Sequence, residues 1–361
     1  MISAVYVHIP FCRSICTYCD FCKLLKNEKW INNYLEALEK EIKNNYRGEK
    51  IKTLYIGGGT PSLLSIKQLE KLFNILKIFK LSENAEITFE SNAEDLSEKK
   101  LAFLKNKINR LSIGVQTFDK KILKILGRKS VNINNIFLAK KYFDNINIDL
   151  MYGFNEENID ILKKDIDTIL KLDIPHISTY NLILEEHTKL YIDGYKYDND
   201  DTIYENIINK LLKEHDYIHY EISNYAKEGY ESRHNQVYWN NEHYYGFGLG
   251  ASGYIDNIRY DNTRSLNKYL SGKFMLNSHT LDLEETLENE FILGFRKTKG
   301  INKLTFYKKY NFNLLDIPVV SDLLSKKLLI DDDKNVFINP QYLYLSNEIL
   351  IKFINTNLLE H

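Results

Sequence analysis

Cysteine is nearly absent: the 361-residue chain has four, all between Cys12 and Cys22. Such crowding in an otherwise cysteine-free chain disfavours a disulfide framework and suits a reducing compartment. Proline is scarce too, at five residues beside abundant Lys, Asn, Ile and Tyr, a compositional bias that carries no function. Neither sign of charge dominates. The 48 basic and 49 acidic side chains leave a net charge of −1, so no global field draws the protein to nucleic acid or anionic lipid. No apolar run approaches the roughly 20 residues that span a bilayer. Met1 to Phe11 lacks the basic n-region of a secretory signal. These absences predict a cytoplasmic protein with no integral membrane segment and no nucleic-acid partner.

What is present is a core-forming composition, 44% hydrophobic, in a chain long enough for two domains or one barrel with an appendage. Apolar alternation predicts strands at 4–9, 51–56, 85–90, 110–115, 147–151 and 176–180. Helical periodicity predicts helices at 28–46, 65–79, 97–104, 120–126, 133–143 and 158–172, with Ser65 and Gln68 as a capping box. Alternating strands and helices imply parallel pairing through right-handed crossovers. Six repeats make an incomplete (β/α)6, TIM-like barrel within residues 1–230, open on one side. Functional residues are then expected where strands end.

Residues 189–201 read as an exposed connection, followed by a helix at 202–214 and a strand at 217–222. The stretch 231–280, rich in aromatics, Asn and Gly, reads as a connecting region. Residues 281–361 carry helices at 284–295, 303–310 and 321–325, a hairpin at 328–330 and 336–338, and a final helix. That order suggests a small α+β, winged-helix-like domain. Its lack of basic character favours packing or partner docking over DNA binding.

The chemistry concentrates in Cys12-Arg13-Ser14-Ile15-Cys16-Thr17-Tyr18-Cys19. Three thiolates from one short loop can hold three corners of a [4Fe-4S] cube, leaving one iron open to chelate a small molecule. A zinc knot is the competing reading, but nothing downstream supplies a second ligand pair. Gly57-Gly58-Gly59-Thr60-Pro61 follows a strand and precedes a helix, where missing Cβ atoms let backbone approach a ligand. No Lys-Ser/Thr follows, so a nucleotide P-loop is disfavoured. Gln116 closes an apolar strand with an amide suited to ligand hydrogen bonding. Arg128 offers a fork for a carboxylate. Asp149, inside an apolar strand, demands a partner if buried.

Tyr6-Val7-His8-Ile9-Pro10-Phe11 leading into the cysteines, and Tyr18-Cys19-Asp20-Phe21 closing them, resemble the radical S-adenosylmethionine (SAM) superfamily. Within it the chain is similar to the oxygen-independent coproporphyrinogen III oxidase-like family. The resemblance implies a radical SAM barrel, Cys12, Cys16 and Cys19 on a [4Fe-4S] cluster, and SAM on the open iron, whose reduction can release a 5′-deoxyadenosyl radical. It further implies SAM contacts from Gly58, Gly59 and Thr60 at its amino end, Glu90 at the ribose or amino group, and Arg128 at the methionyl carboxylate. Gln116 and Asp149 join them. Tyr6 would reach the adenine or the cluster rim, or else be a core tyrosine; Glu90 could equally be a solvated strand-end carboxylate. Cys22 departs from the Cys-x-Cys ending of the porphyrinogen oxidases and reads as a spare thiol.

His234-Asn235-Gln236-Val237-Tyr238-Trp239 resembles a motif that the family's chaperone branch links to haem. It implies His234 as an axial haem ligand, against the simpler reading of a packed histidine. Gly246 to Ser252 would then form a small-residue wall for the macrocycle. Three functions stay open: a haem chaperone delivering haem to acceptor proteins, an oxygen-independent coproporphyrinogen III oxidase, and another radical SAM reaction such as methylation. The motif and the cysteine ending favour the chaperone. So does the start of the cysteine loop at Cys12, which leaves no room for the oxidases' long N-terminal extension. Each reading needs a low-potential electron donor wherever the cluster is reduced.

Overall fold

In the computed structural model, which describes residues 2–196, 201–354, 356 and 358, one large sheet carries most of the chain. Its strands are β1 (Ala4–Ile9), β2 (Lys50–Gly58), β3 (Lys80–Asn92), β4 (Arg110–Gln116), β5 (Ile146–Tyr152) and β6 (His176–Asn181), then β7 (Ile218–Glu221), β8 (Asn224–Ala226), β9 (Tyr244–Phe247), β10 (Ser252–Ile255), β11 (Ile258–Asn262) and β12 (Met275–Thr280). The spatial order is β12-β11-β10-β9-β1-β2-β3-β4-β5-β6-β8-β7, and the sheet does not close. Strands β1 to β6 run parallel in sequence order. The expected alternation of six strands with helices is present.

The structure adds a seventh parallel strand, β9, on the free edge of β1, in register from Ala4↔Tyr244 to Val7↔Phe247. Strands β10 to β12 continue outward as an antiparallel meander. Residues 244–280 therefore extend the sheet instead of merely connecting two domains. The glycines that made this stretch read as a loop are demanded by packing. A Cβ on Gly246 would stand 1.9 Å from the Ser252 carbonyl oxygen, and one on Gly248 (φ +106°) would stand 2.6 Å from the His8 carbonyl oxygen. At the other edge β7 is covered, since Ile222 N–H donates to Arg296 O and Thr298 N–H to Tyr220 O. Covering it removes an unpaired edge.

Helices Glu28–Asn45, Ile66–Leu76 and Ile159–Leu172 present apolar faces to the sheet, burying Leu35, Leu38, Leu69, Leu72, Ile166 and Ile169. Asn27, Ser65 and Asn158 cap their N-termini, and Ser65 with Gln68 forms the expected capping box. Helices Leu283–Gly294, Lys303–Tyr310 and Pro318–Ser325 pack with a three-stranded antiparallel sheet made of Ile301–Asn302, Asn335–Ile338 and Leu329–Asp331. This arrangement has the helices and small hairpin of a winged helix, around a separate core of Leu287, Phe291, Phe295, Phe306, Val320 and Phe353. The final helix is short, Ser346–Leu350, between two 3-10 turns. Of the stretch read as an exposed connection, 197–200 lie outside the described residues; Lys189–Ile192 is a short helix.

Gly248→Ala is expected to destabilise the protein by about 2–3 kcal/mol, through a strained positive φ and overpacking against His8 and Tyr34. Equilibrium denaturation compared with wild type checks this, and an unchanged midpoint contradicts the packing account.

Candidate functional site

The parallel strands all end at one side, and the cysteine loop is folded over that side. Its neck is closed where Phe11–Cys12 pairs parallel with Leu24–Leu25, through Leu24 N–H to Pro10 O (2.7 Å) and Lys26 N–H to Cys12 O (2.9 Å). Its tip is tied elsewhere. Thr17 N–H donates to Leu126 O (3.1 Å) and Thr17 Oγ1 to Ile125 O (2.8 Å), at the C-terminus of helix Lys120–Ile125. Gly127 (φ +68°) ends that helix and turns the chain so that Arg128 points back under the loop. Lys23 reaches the Cys19 carbonyl, and His187 pairs with Asp20 on the outer side.

Between loop and strand ends lies a cavity of about 320 Å³. Cys12, Cys16, Cys19, Gly58, Gly59, Thr60, Glu90, Gln116, Arg128 and Asp149 all line it. The structure thus brings together every expected cluster and SAM residue except Tyr6. Tyr6 lies one step behind, its hydroxyl 2.9 Å from His8 Nδ1 and its ring beside Tyr55. The core-tyrosine reading therefore fits it better than a contact with adenine.

The backbone around Gly57 to Gly59 is drawn tight. A Cβ on Gly57 would meet Glu90 at 2.7 Å, and one on Gly59 would stand 2.7 Å from the Pro10 carbonyl carbon and 3.0 Å from Cys12 Sγ. Glu90 is gripped from two sides, by Gly58 N–H (2.9 Å) and Tyr55 O–H (2.7 Å). Burial still pushes its carboxyl up to about 7. Asp149 is likewise raised by burial, although Asn147 Nδ2 donates to it at 2.8 Å. Arg128 donates to Asn92 Oδ1 (2.7 Å), Gly114 O (2.9 Å) and Cys16 Sγ (3.8 Å). Gln116 has a positive φ of 67°, and its Oε1 is buried with no hydrogen-bond partner. Gln116 lines the cavity, so this acceptor without a partner is a candidate for a ligand donor.

Among the described residues no three His, Cys, Asp or Glu side chains converge on a single point that could hold one metal ion. Thiolates on a cube each bind a different iron, so they stand farther apart than the ligands of a mononuclear site. The donor set suits such a cube. Thr60 Oγ1 donates to Cys12 Sγ at 3.7 Å, and burial pushes the Cys12 thiol up to about 11 and raises Cys19 as well. Thiols of that kind become ligands when a cationic cluster offsets the buried charge. Cys22 is outside the cavity lining; its side chain packs where a Cβ on Gly250 would come within 2.5 Å of it.

The structure places the expected haem ligand in the interior. His234 is 1% exposed, with Nδ1 2.8 Å from Thr53 Oγ1 and Nε2 2.7 Å from the Tyr238 hydroxyl. Both ring nitrogens are engaged and burial pushes its pKa down to about 3, an environment that fits the packed-histidine reading. The stretch Gly246 to Ser252, expected to wall a macrocycle, packs against the chain itself. The space beside its glycines is filled by His8, Tyr34, Ser252 and Cys22 of the chain itself.

The sequence reading missed Asn92, which bonds both Arg128 and Thr60 (3.3 Å), and Tyr55, which holds Glu90. The signal for Asn92 was available. It stands two residues after Glu90 on one strand, so the period of two points both to the same face.

A family model for the radical SAM superfamily matches residues 6–169. A protein named heme chaperone HemW from Lactococcus lactis is 37% identical, covering 98% of this chain and 97% of its own length. The Bacillus subtilis protein of that name is 38% identical, covering 97% and 99%. The one from Escherichia coli is 30% identical over 84% and 85%. Among solved structures, the radical SAM enzyme coproporphyrinogen III oxidase (HemN) from E. coli superposes with a TM-score of 0.84 at 21% identity, over 98% of this chain and 90% of that one. That likeness establishes the shared fold. No helix among the described residues is long and apolar enough to cross a membrane.

In the ligand-free protein Glu90 is expected to titrate near pH 7, and Tyr55→Phe to raise that value by removing a donor to the ionised form. Infrared difference titration of the carboxyl band, assigned with Glu90→Gln, checks both. A value in the ordinary carboxylate range contradicts the burial described.

Proposed function

This chain belongs to the HemW family within the radical SAM superfamily, and from that premise we propose that it is a haem chaperone. In this reading it carries a [4Fe-4S] cluster on Cys12, Cys16 and Cys19, binds SAM in the cavity beneath, takes up haem as cargo and delivers it to haem-accepting proteins in the cytoplasm. The observation that carries the reading is near full-length similarity to proteins named heme chaperones. The cavity supports the cofactor part of it. When bound, the cluster supplies an open iron for the amino and carboxylate groups of SAM and a path for one electron from a low-potential donor.

The remaining work falls to side chains. Arg128, already fixed by Asn92 and Gly114, turns a guanidinium edge to a carboxylate. Glu90 and Asp149 face the ammonium and ribose hydroxyls as acceptors, and each gains from a cationic ligand that offsets its buried charge. Gln116 Oε1 accepts the hydrogen bond it lacks. The glycine turn lets Glu90, His8 and Pro10 close on its backbone and so shapes the cavity wall. The second reading, porphyrinogen oxidation, draws on the shared fold alone, and a fold does not carry a reaction with it.

The test is anaerobic and uses full-length reconstituted protein. Stable haem uptake followed by transfer to an apo-acceptor, with no protoporphyrinogen from coproporphyrinogen III, is the expected result. Protoporphyrinogen formation overturns the chaperone reading. Arg128→Lys is expected to weaken SAM binding about tenfold by breaking a bidentate geometry, which equilibrium dialysis measures. His234→Ala is expected to leave the haem Soret band and haem affinity unchanged, because neither ring nitrogen is free.

A further inference from the structure

The motif around His234 is not used by the site as described, yet two routes lead from it into the cavity, one through a ring contact and one through hydrogen bonds alone. Helix Arg233–Trp239 lies against the inner face of the parallel strands, below the layer of Glu90 and Asp149. The carboxylate of Glu86, on the same strand and face as Glu90, accepts from the backbone N–H groups of Arg233 (3.1 Å) and His234 (2.9 Å). On the neighbouring strand the His234 ring is bonded to Thr53 and packs on the Tyr55 ring, 5.2 Å between centroids. Tyr55 is two residues beyond Thr53, on the same face, and its hydroxyl holds Glu90. The second route begins at Ser232, the residue that caps the helix. Its N–H donates to the Tyr220 hydroxyl, which bonds His176 Nε2 (2.7 Å). His176 Nδ1 meets Asn147 Oδ1 (2.6 Å), and Asn147 Nδ2 donates to Asp149.

We propose that the helix bearing the His-Asn-x-x-Tyr-Trp sequence is the floor of the SAM site, with His234 a positioning residue that fixes Tyr55 and through it the Glu90 carboxylate. The inference rests on the reading of the cavity as a SAM site and assigns to this chain's own histidine a role other than haem ligation. Both ring nitrogens are spent on the strand and on the helix's own Tyr238, so the imidazole works as a strut. Tyr55 stands between it and Glu90, and the Tyr6 ring lies 6.0 Å from the Tyr55 ring between centroids. Removing the imidazole leaves the Tyr55 ring free to tilt away from Glu90, whose remaining partner is the Gly58 N–H.

The experiment is a double-mutant cycle on the full-length, anaerobically reconstituted protein. SAM affinity is measured by equilibrium dialysis for wild type, His234→Ala, Tyr55→Phe and the double variant. The carboxyl titration of Glu90 is followed in ligand-free samples of the same four proteins. Loss of one hydrogen bond to a charged group predicts about tenfold weaker SAM binding in each single variant. The double variant is expected to be no weaker than the worse single, since both act through one contact. Glu90 is expected to move upward equally in all three. His234→Gln, which keeps a polar side chain between Thr53 and Tyr238, is expected to recover most of the affinity and thermal stability. Multiplying losses in the double variant, or a Glu90 titration untouched by His234→Ala, overturns the proposal. If wild type fails to bind SAM, the cofactor reading falls, while the Glu90 titrations still decide the positioning role.

Discussion

A loop without regular structure has to hold three thiols open over the strand ends, and the rest of the site depends on how it is tethered. The tethers are backbone ones at the neck, Leu24 to Pro10 and Lys26 to Cys12, and a hydroxyl and an amide of Thr17 at the tip. Those at the tip land on the last carbonyls of a helix, groups that have no partner within the helix itself. The same helix end, turned by Gly127, aims Arg128 at Asn92 and Cys16. One local device therefore spaces the cysteines and orients the guanidinium together.

Beneath the loop, the inner face of the parallel sheet is polar where a closed barrel would carry packed aliphatic layers. Glu86 and Glu90 share one strand's inner face with Thr88, Asn147 and Asp149 share another's, and Arg110 is buried whole. Many of the polar groups there are bonded to one another, as in the chain through Tyr220, His176 and Asn147. Thr88 Oγ1, Arg110 Nε and Gln116 Oε1 have no partner, and of these residues Gln116 lines the cavity. The histidine motif closes this polar interior from below. His234 itself is buried there between Thr53 and Tyr238.

Much of the site was legible because its signals are local. Three cysteines on one loop, a glycine turn after a strand and a carboxylate within an apolar strand each announce themselves at fixed spacing, and strand ends that point one way gather them. The element order of the first half followed from periodicity for the same reason. What escaped is long-range. Strand β9 pairs with β1 from more than two hundred residues away, and its glycines look like a loop until Ser252 and His8 are seen against them. Likewise His234 reads by itself as a packed histidine and as a haem ligand only through the resemblance of its motif; the partner it packs on, Thr53, lies far away in sequence. Asn92 was readable from the period of two and was passed over.

The proposed function stands on Cys12, Cys16 and Cys19 holding a cube with one open iron above the cavity. Electron paramagnetic resonance of the anaerobically reconstituted, reduced protein, with metal and sulfide analysis of the same sample, tests it most directly. The account predicts four irons and four sulfides per chain, a signal that shifts when SAM is added, loss of that signal in Cys16→Ala and its survival in Cys22→Ala. Zinc in place of iron, or a cluster signal indifferent to SAM, contradicts it.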